Sequence, residues 1–444
     1  MKRTLIHNAI LVNDGRQKQG SVLIEDGTIV QILTDGRPLT LPYTEFIDAT
    51  GTYLLPGVID EHVHFRDPGL THKADIRTES MAAAAGGVTS IMDMPNTLPQ
   101  TTTTEAWEQK MQLMAEKSVV NYSCFFGATN GNYKELTNLD RHRTCGVKLF
   151  MGSSTGNMLV DRLESLERIF GGTDQLIVAH CEDQHIISEN TQKYRGEATD
   201  LPVWKHRLIR SSEACYQSSK LAIKLAKKSG ARLHIAHLST ARELSLLSDE
   251  PLFKKKITAE ACVAHLMFSD QDYPSLGALI KCNPSVKRLR DRESLRAALT
   301  SGKIDTIATD HAPHTLAEKQ GGALKATSGM PMIQFSLPCM LQLVDEGVMT
   351  IETLVEKMCH APARLFGIDR RGYIEEGCWA DLVLVRPRPW EVTPEVILSK
   401  CGWSPLMGHQ FRWRVDKTFC NGHLVYDGKT VDENRKGKAL WFNF

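Results

Sequence analysis

The run Leu55-Pro-Gly-Val-Ile-Asp-Glu-His-Val-His-Phe-Arg-Asp-Pro-Gly69 decides how the rest of the chain is read. Val58, Ile59 and Val63 are β-formers, and Gly57 and Pro68 punctuate the ends, so the run predicts a buried strand. Side chains two apart share one face of a strand, which turns His62 and His64 the same way. Two imidazoles converging from a strand end make half of a metal site. Arg66, two residues further, places a guanidinium beside it. Taken alone, the pair reads at least as well as two hydrogen-bonded histidines. What separates the readings is whether other apolar runs end in ligand-type residues.

Such runs recur near 57–63, 88–94, 119–126, 145–151, 175–180, 232–238, 257–263 and 304–309, alternating with longer helical stretches. That alternation argues for parallel β/α units, and eight strands predict an α/β fold of the (β/α)8, or TIM, barrel type. One helix is expected over 211–229, rich in Ala, Leu and Lys and stopped by Gly230; another runs from about Thr78 to Ala85 and stops at Gly86-Gly87. The chain ends read differently. Residues 5–12 and 21–32 cluster apolar residues around Asp14-Gly15 and Asp26-Gly27. Residues 381–385 form a strand, and Asn421-Gly422 is a hairpin turn that needs positive φ. The two ends, 1–52 and 376–444, are expected to pair into one small sheet domain beside a barrel at 53–375.

Polar residues fall at the C-terminal ends of the barrel strands, where barrel active sites lie. Asn96 follows the second strand, Lys148 sits in the fourth, His180 ends the fifth, His237 the sixth and Asp310 the eighth. Either later histidine alone reads as a core histidine, and Asp310 alone as a helix cap. Lys148 lies between Val147 and Leu149, where burying an ammonium is costly unless it is paired. Without an acid its pKa falls, and the neutral amine can add carbon dioxide to give a carbamate, an anionic bridge between two metals. Imidazole and carboxylate donors suit zinc, with manganese, iron or cobalt as alternatives. Two such metals can hold a bridging hydroxide and polarise a carbonyl, and Asp310 can shuttle a proton to a departing nitrogen. This suits hydrolysis of an amide or ureide.

Composition narrows the field. The 444 residues, 42% hydrophobic and 24% charged, leave room for a barrel and a smaller unit. A net charge of +1 without a long basic run argues against nucleic acid or an anionic membrane as partner. No apolar stretch approaches the roughly 20 residues of a membrane span, and the N-terminus lacks a signal-peptide core. The eleven cysteines are scattered, without a Cys-x-x-Cys pair, and are expected to be reduced and buried in a cytoplasmic protein. Lys254-Lys255-Lys256 is expected on a solvated face or a loop before a strand.

The motifs resemble those of the amidohydrolase superfamily, and within it the dihydroorotases, over roughly residues 1–430. The resemblance implies a barrel with a small β-sandwich from both chain ends and two zinc ions per subunit. His62, His64 and Asp310 would hold the more buried ion and His180 and His237 the more exposed one. Carboxylated Lys148 would bridge them, with Asp310 as general acid/base. Phe65-Arg66-Asp67-Pro68-Gly69, Met94-Pro95-Asn96-Thr97 and Asp310-His311-Ala312-Pro313-His314 fit the dihydroorotase pattern. They imply that Arg66, Asn96 and His314 hold a substrate carboxylate, with Asn283 contacting substrate from the loop after strand seven. The implied reaction is the reversible closure of N-carbamoyl-L-aspartate to L-dihydroorotate in pyrimidine biosynthesis. The family further implies a homodimer, and in some members association with aspartate transcarbamoylase. The chain departs from the pattern at Ala74, at Ser285-Val286-Lys287 and over 328–334, which leaves allantoinase and hydantoinase as alternatives. A non-catalytic scaffold is a further alternative, disfavoured by the intact ligand set. The polar stretch 315–328, with Gly321-Gly322, is expected to be a mobile lid or a surface loop.

Overall fold

The computed structural model describes residues 2–152 and 158–443. The chain begins with β1 (Arg3–Asn13), β2 (Arg16–Glu25), β3 (Thr28–Leu33), β4 (Glu45–Asp48) and β5 (Tyr53–Pro56). The barrel strands follow as β6 (Val58–Val63), β7 (Val88–Asp93), β8 (Asn121–Cys124) with its short extension β9 (Phe126–Gly127), and β10 (Val147–Phe150). They continue as β11 (Ile177–His180), β12 (Leu233–Ile235), β13 (Ile257–Cys262) and β14 (Thr306–Ala308). The chain then returns to the first sheet with β15 (Leu382–Glu391), β16 (Gln410–Cys420) and β17 (His423–Tyr426).

Both chain ends share one eight-stranded sheet of order β17-β16-β15-β5-β1-β2-β3, with β4 also on β1. β1 pairs in parallel first with β4 and then with β5, so one strand serves two parts of the sheet. A bulge between Ile6 and Ala9, with Asn8 at φ 63°, makes the change of partner. The sheet curls over its own core of Ile6, Val22, Ile24, Leu54, Leu382 and Phe419. β5 joins the two ends by pairing antiparallel with β15, Leu54 opposite Leu384.

The barrel strands run parallel throughout, from β6 through β8 and from β9 through β14. The circle closes between β14 and β6. The Thr309 backbone and hydroxyl both bond Asp60, and the His64 amide donates to His311 O at 2.7 Å. The helix Ser212–Ser229 starts on its Ser211 cap and ends on Gly230 at φ 77°, as the sequence predicts. The other expected helix begins slightly earlier, at Ile76, because Asp75 and Thr78 form a capping box.

The C-terminal part is not confined to the small sheet as expected for 376–444. Between β15 and β16 the chain crosses to the barrel, where Trp403 Nε1 donates to His314 O at 2.7 Å and Ser399 to Glu79 at 2.6 Å. The tail also returns to the barrel: Leu440 N bonds Tyr122 O, and Phe442 packs in a core cluster with Phe125 and Phe366. The apolar side chains of Trp403, Leu406, Leu440 and Phe442 are buried by these crossings. Lys254-Lys255-Lys256 leads into β13 as expected, with Lys254 and Lys256 exposed and Lys255 turned inward. The Lys255 side chain is only 2% exposed and its ammonium pairs with Asp305 at 2.8 Å. All eleven cysteines are free thiols. Among the described residues no helix is long and apolar enough to cross a membrane.

Candidate metal centre and active site

All ten residues singled out from the sequence line one cleft of about 420 Å³ at the C-terminal ends of the barrel strands. His62 and His64 stand at the end of β6 with their Nε2 atoms 3.4 and 3.1 Å from Asp310 Oδ1. These three offer donor atoms close enough together to share one cation. Across the cleft, His180 Nδ1 and His237 Nε2 approach to 2.9 Å. Lys148 projects from β10, fully buried, and its Nζ has no hydrogen-bond partner among the described residues.

The donor set fits a metal pair. Burial pushes the Lys148 ammonium and the His64, His180 and His237 imidazoles below their ordinary values, His64 to about 4. Neutral imidazoles are the form that binds metal. Burial alone would raise the Asp310 carboxyl, but His62 and His64 hold it below its ordinary value. An orphaned, wholly buried lysine nitrogen is costly as an ammonium. As a carbamate it would add anionic oxygens to the one carboxylate, Asp310, that this cluster holds.

The ligand rings are held from behind by residues the sequence reading missed. Glu260 on β13 bonds His62 Nδ1 and accepts the His237 amide at 2.9 Å. Glu182 bonds His180 Nε2 at 3.0 Å and pairs with Arg210. Both carboxylates are fully buried. Arg210, followed by His180, overrides burial and keeps Glu182 well below the usual carboxylate range. A signal for both was present: Glu260 is a lone acid inside an apolar strand, and Glu182 lies two residues past His180. Asn96 fixes the ring of His64, with its Oδ1 2.7 Å from Nδ1.

Three site residues sit in the left-handed region: Arg66 at φ 65°, His237 at φ 39° and Asp310 at φ 50°. Such conformations cost on the order of 1–3 kcal/mol each and persist where the surroundings impose them. At Arg66 the surroundings are plain. The Phe65 amide donates to Asp93, whose other oxygen takes the wholly buried Lys110 at 2.7 Å.

Part of the cleft is cationic. Arg66 is buried, with Nε on Pro313 O at 3.1 Å and Nη2 3.1 Å from His314 Nε2. Lys73 Nζ lies 3.2 Å from His314 Nδ1 and pairs with Glu318 at 2.7 Å. Burial and the Arg66 and Lys73 charges push His314 far below its ordinary value, so it is neutral. Its two ring nitrogens each face a cationic donor, Lys73 at Nδ1 and Arg66 at Nε2, and Ser328 O lies 3.0 Å from Nε2. Asn283 enters from the other side, its Oδ1 3.0 Å from His206.

The stretch 315–328 is a pinned wall. Asp200 accepts the amides of Gly322 and Leu324 at 2.7 and 3.0 Å. The ammonium of Lys319 donates to Lys281 O, Thr327 O and Gly329 O at 2.7–3.0 Å. Thr327, Ser328 and Gly329 then line the cleft.

Comparison with known proteins agrees with this geometry. The profile of the amidohydrolase family matches residues 173–425, and that of the dihydro-orotase-like family residues 51–243. A dihydroorotase of Halobacterium salinarum is 34% identical over 92% of this chain and 96% of its own. A dihydroorotase of Methanosarcina acetivorans is 33% identical over 91% and 88%. An allantoinase of Bacillus velezensis is 30% identical over 99% and 96%. Among solved structures, the L-hydantoinase (dihydropyrimidinase) from Arthrobacter aurescens superposes with a TM-score of 0.92. It is 27% identical and covers 97% of this chain and 98% of its own. A barrel with both chain ends in a flanking β unit, a convergent set of histidines, aspartate and lysine, and these relatives together place the chain in the amidohydrolase family, in its dihydroorotase-like branch, as a hydrolase acting on cyclic amides.

Proposed function

We propose that the protein is a dihydroorotase, interconverting L-dihydroorotate and N-carbamoyl-L-aspartate in pyrimidine synthesis. The observation that carries this reading is the buried Arg66, which lines the same cleft as the histidines and Asp310. A guanidinium matches a carboxylate in bidentate fashion, and a buried one is costly without an anion. Dihydroorotate carries a carboxylate on its ring; allantoin, hydantoin and dihydrouracil carry none.

His62, His64, His180, His237, Asp310 and carboxylated Lys148 would hold two divalent ions, zinc by donor type. Bound there, the ions would polarise the ring carbonyl and make water nucleophilic at neutral pH. Asp310, a carboxylate between His62 and His64, takes the proton from the attacking water. As the ring C–N bond breaks, Asp310 returns that proton to the departing nitrogen, which becomes the ureido NH2. Arg66 supplies the charge that orients the substrate. Asn96, whose Oδ1 is taken by His64, offers its amide N–H, and Asn283 offers its own. Neutral His314 shapes the pocket without adding charge.

The test is turnover by zinc-loaded protein of L-dihydroorotate, with allantoin, hydantoin and dihydrouracil in parallel. Preference for dihydroorotate is expected. Faster opening of an uncharged ring would overturn the assignment while leaving the hydrolase. Turnover of none by metal-replete protein would favour the scaffold.

A further inference from the structure

A second cleft, of about 610 Å³, opens on the same barrel face as the catalytic one. It lies where the helices Ser212–Ser229 and Leu289–Ala298 begin, and helices returning antiparallel to the strands begin at the strands' C-terminal ends. Five cations line it: Arg207, Arg242, Lys287, Arg288 and Arg290. Two acids, Glu213 and Asp291, stand against them, in a chain whose net charge is only +1.

The acids are already engaged. Glu213 pairs with Arg242, whose guanidinium also stacks 3.9 Å from the centre of the Tyr216 ring. Asp291 spends its oxygens on the amides of Ala241 and Arg288 at 3.0 and 3.2 Å. Arg207 reaches Asp270 at 3.4 Å. Lys287, Arg288 and Arg290 have no ion-pair partner among the described residues. Lys287 is 5% exposed, and its ammonium donates only to the two oxygens of Ser285, at 3.1 and 2.8 Å. The buried carboxylates Glu243 and Glu182 feel its charge, so the exposed Arg288 and Arg290 are the cations of this cleft left without an acid. A concave site of this size and charge matches a small molecule better than a flat macromolecular surface.

We propose that this cleft is a second ligand site, taking a small phosphate-bearing anion. Phosphate oxygens suit the arginine forks of Arg288 and Arg290 and the remaining proton of Lys287, with two helix starts adding favourable backbone dipoles. The site touches the metal centre through a short chain of contacts. Ser285 Oγ, which accepts from Lys287, donates to Arg210 O at 3.0 Å, and Arg210 pairs with the Glu182 that holds His180.

The proposal is independent of which cyclic amide is the substrate, so binding rather than turnover tests it. Titrate metal-loaded protein calorimetrically with inorganic phosphate at constant ionic strength. Run alongside it the double variant Arg66→Met/Lys73→Met, which removes the two cations beside His314 in the catalytic cleft, the single variant Arg66→Met, and the double variant Arg288→Ala/Arg290→Ala. One saturable site is expected, weakened at least about tenfold in Arg288→Ala/Arg290→Ala and unchanged in Arg66→Met and Arg66→Met/Lys73→Met. Absence of saturable binding, equal affinity in Arg288→Ala/Arg290→Ala, or loss in either catalytic-cleft variant would each overturn it. Arg288 and Arg290 are exposed, and thermal unfolding verifies that their double variant folds. A changed sedimentation coefficient in Arg288→Ala/Arg290→Ala would identify the face as a subunit contact instead, and would also overturn the proposal.

Discussion

Replacing Glu182 with glutamine keeps its volume and one acceptor oxygen but removes a charge. In the wild type that charge is fully buried, with Arg210 and His180 Nε2 as its partners. Arg210 is 7% exposed, so the variant strands a guanidinium without a counter-ion. Breaking a buried pair from one side costs about 3–5 kcal/mol, and the retained acceptor places this case near the lower end. The same change loosens the ring of His180. Loss of such a supporting partner weakens metal binding by about 10–100-fold. Two assays follow: denaturant unfolding of the metal-free protein, and competition for zinc with a chromophoric chelator. The variant should unfold earlier and, once loaded with zinc, give the metal up more readily. A pH series adds a sign. The Glu182 carboxyl titrates below its ordinary value of 4.5 in the fold, so its contribution is complete above that pH and declines as pH falls further. The gap between wild type and variant should therefore narrow only below about pH 4.5. Unchanged zinc release together with an unchanged unfolding midpoint would refute the claim that this carboxylate supports the metal centre.

Arg66→Met should lower kcat/KM for dihydroorotate by about 30- to 5,000-fold, the loss of a buried charge partner, while leaving opening of dihydrouracil nearly unchanged. Carbon-13 NMR of protein prepared with labelled bicarbonate should show a carbamate resonance that Lys148→Met lacks, and the variant should bind less metal. Asp200→Ala removes the acceptor of the Gly322 and Leu324 amides. It should raise protease cleavage within 315–328, with global stability altered by no more than about 0.5 kcal/mol.

Much of the architecture was legible because it depends on local periodicity. Every barrel strand falls inside a short apolar run, and the ligands follow at strand ends, so spacing along the chain became convergence in space. Asp14-Gly15, Asp26-Gly27 and Asn421-Gly422 marked their turns because positive φ restricts which residues can stand there. What escaped was long-range. Glu260 supports His62 from nearly 200 positions away, and no pattern within either strand pairs them. The left-handed backbones of Arg66, His237 and Asp310 follow from packing rather than residue type. The wall at 315–328 reads as a polar loop because its anchors are Asp200 and backbone carbonyls, which leave no periodic trace. Trp403 was assigned to the small sheet because it lies between two sheet strands, yet it bonds the loop behind His314.

The pairing of β5 with β15 has a consequence for synthesis of the chain. Residues 53–56 find their hydrogen-bond partners in residues 382–385, more than 300 positions later. At ribosomal rates of about 5–20 residues per second, that edge stays open for roughly 15–65 seconds. Through that interval the whole barrel is being made while β5 offers unpaired amides and the apolar Leu54 and Leu55. An exposed strand edge is a template for wrong partners, including a second nascent copy of the same chain. The hydrolase thus carries its aggregation hazard in residues 53–56, only six positions ahead of its first candidate metal ligand, His62, and chaperone demand should track the rate at which the last strands emerge.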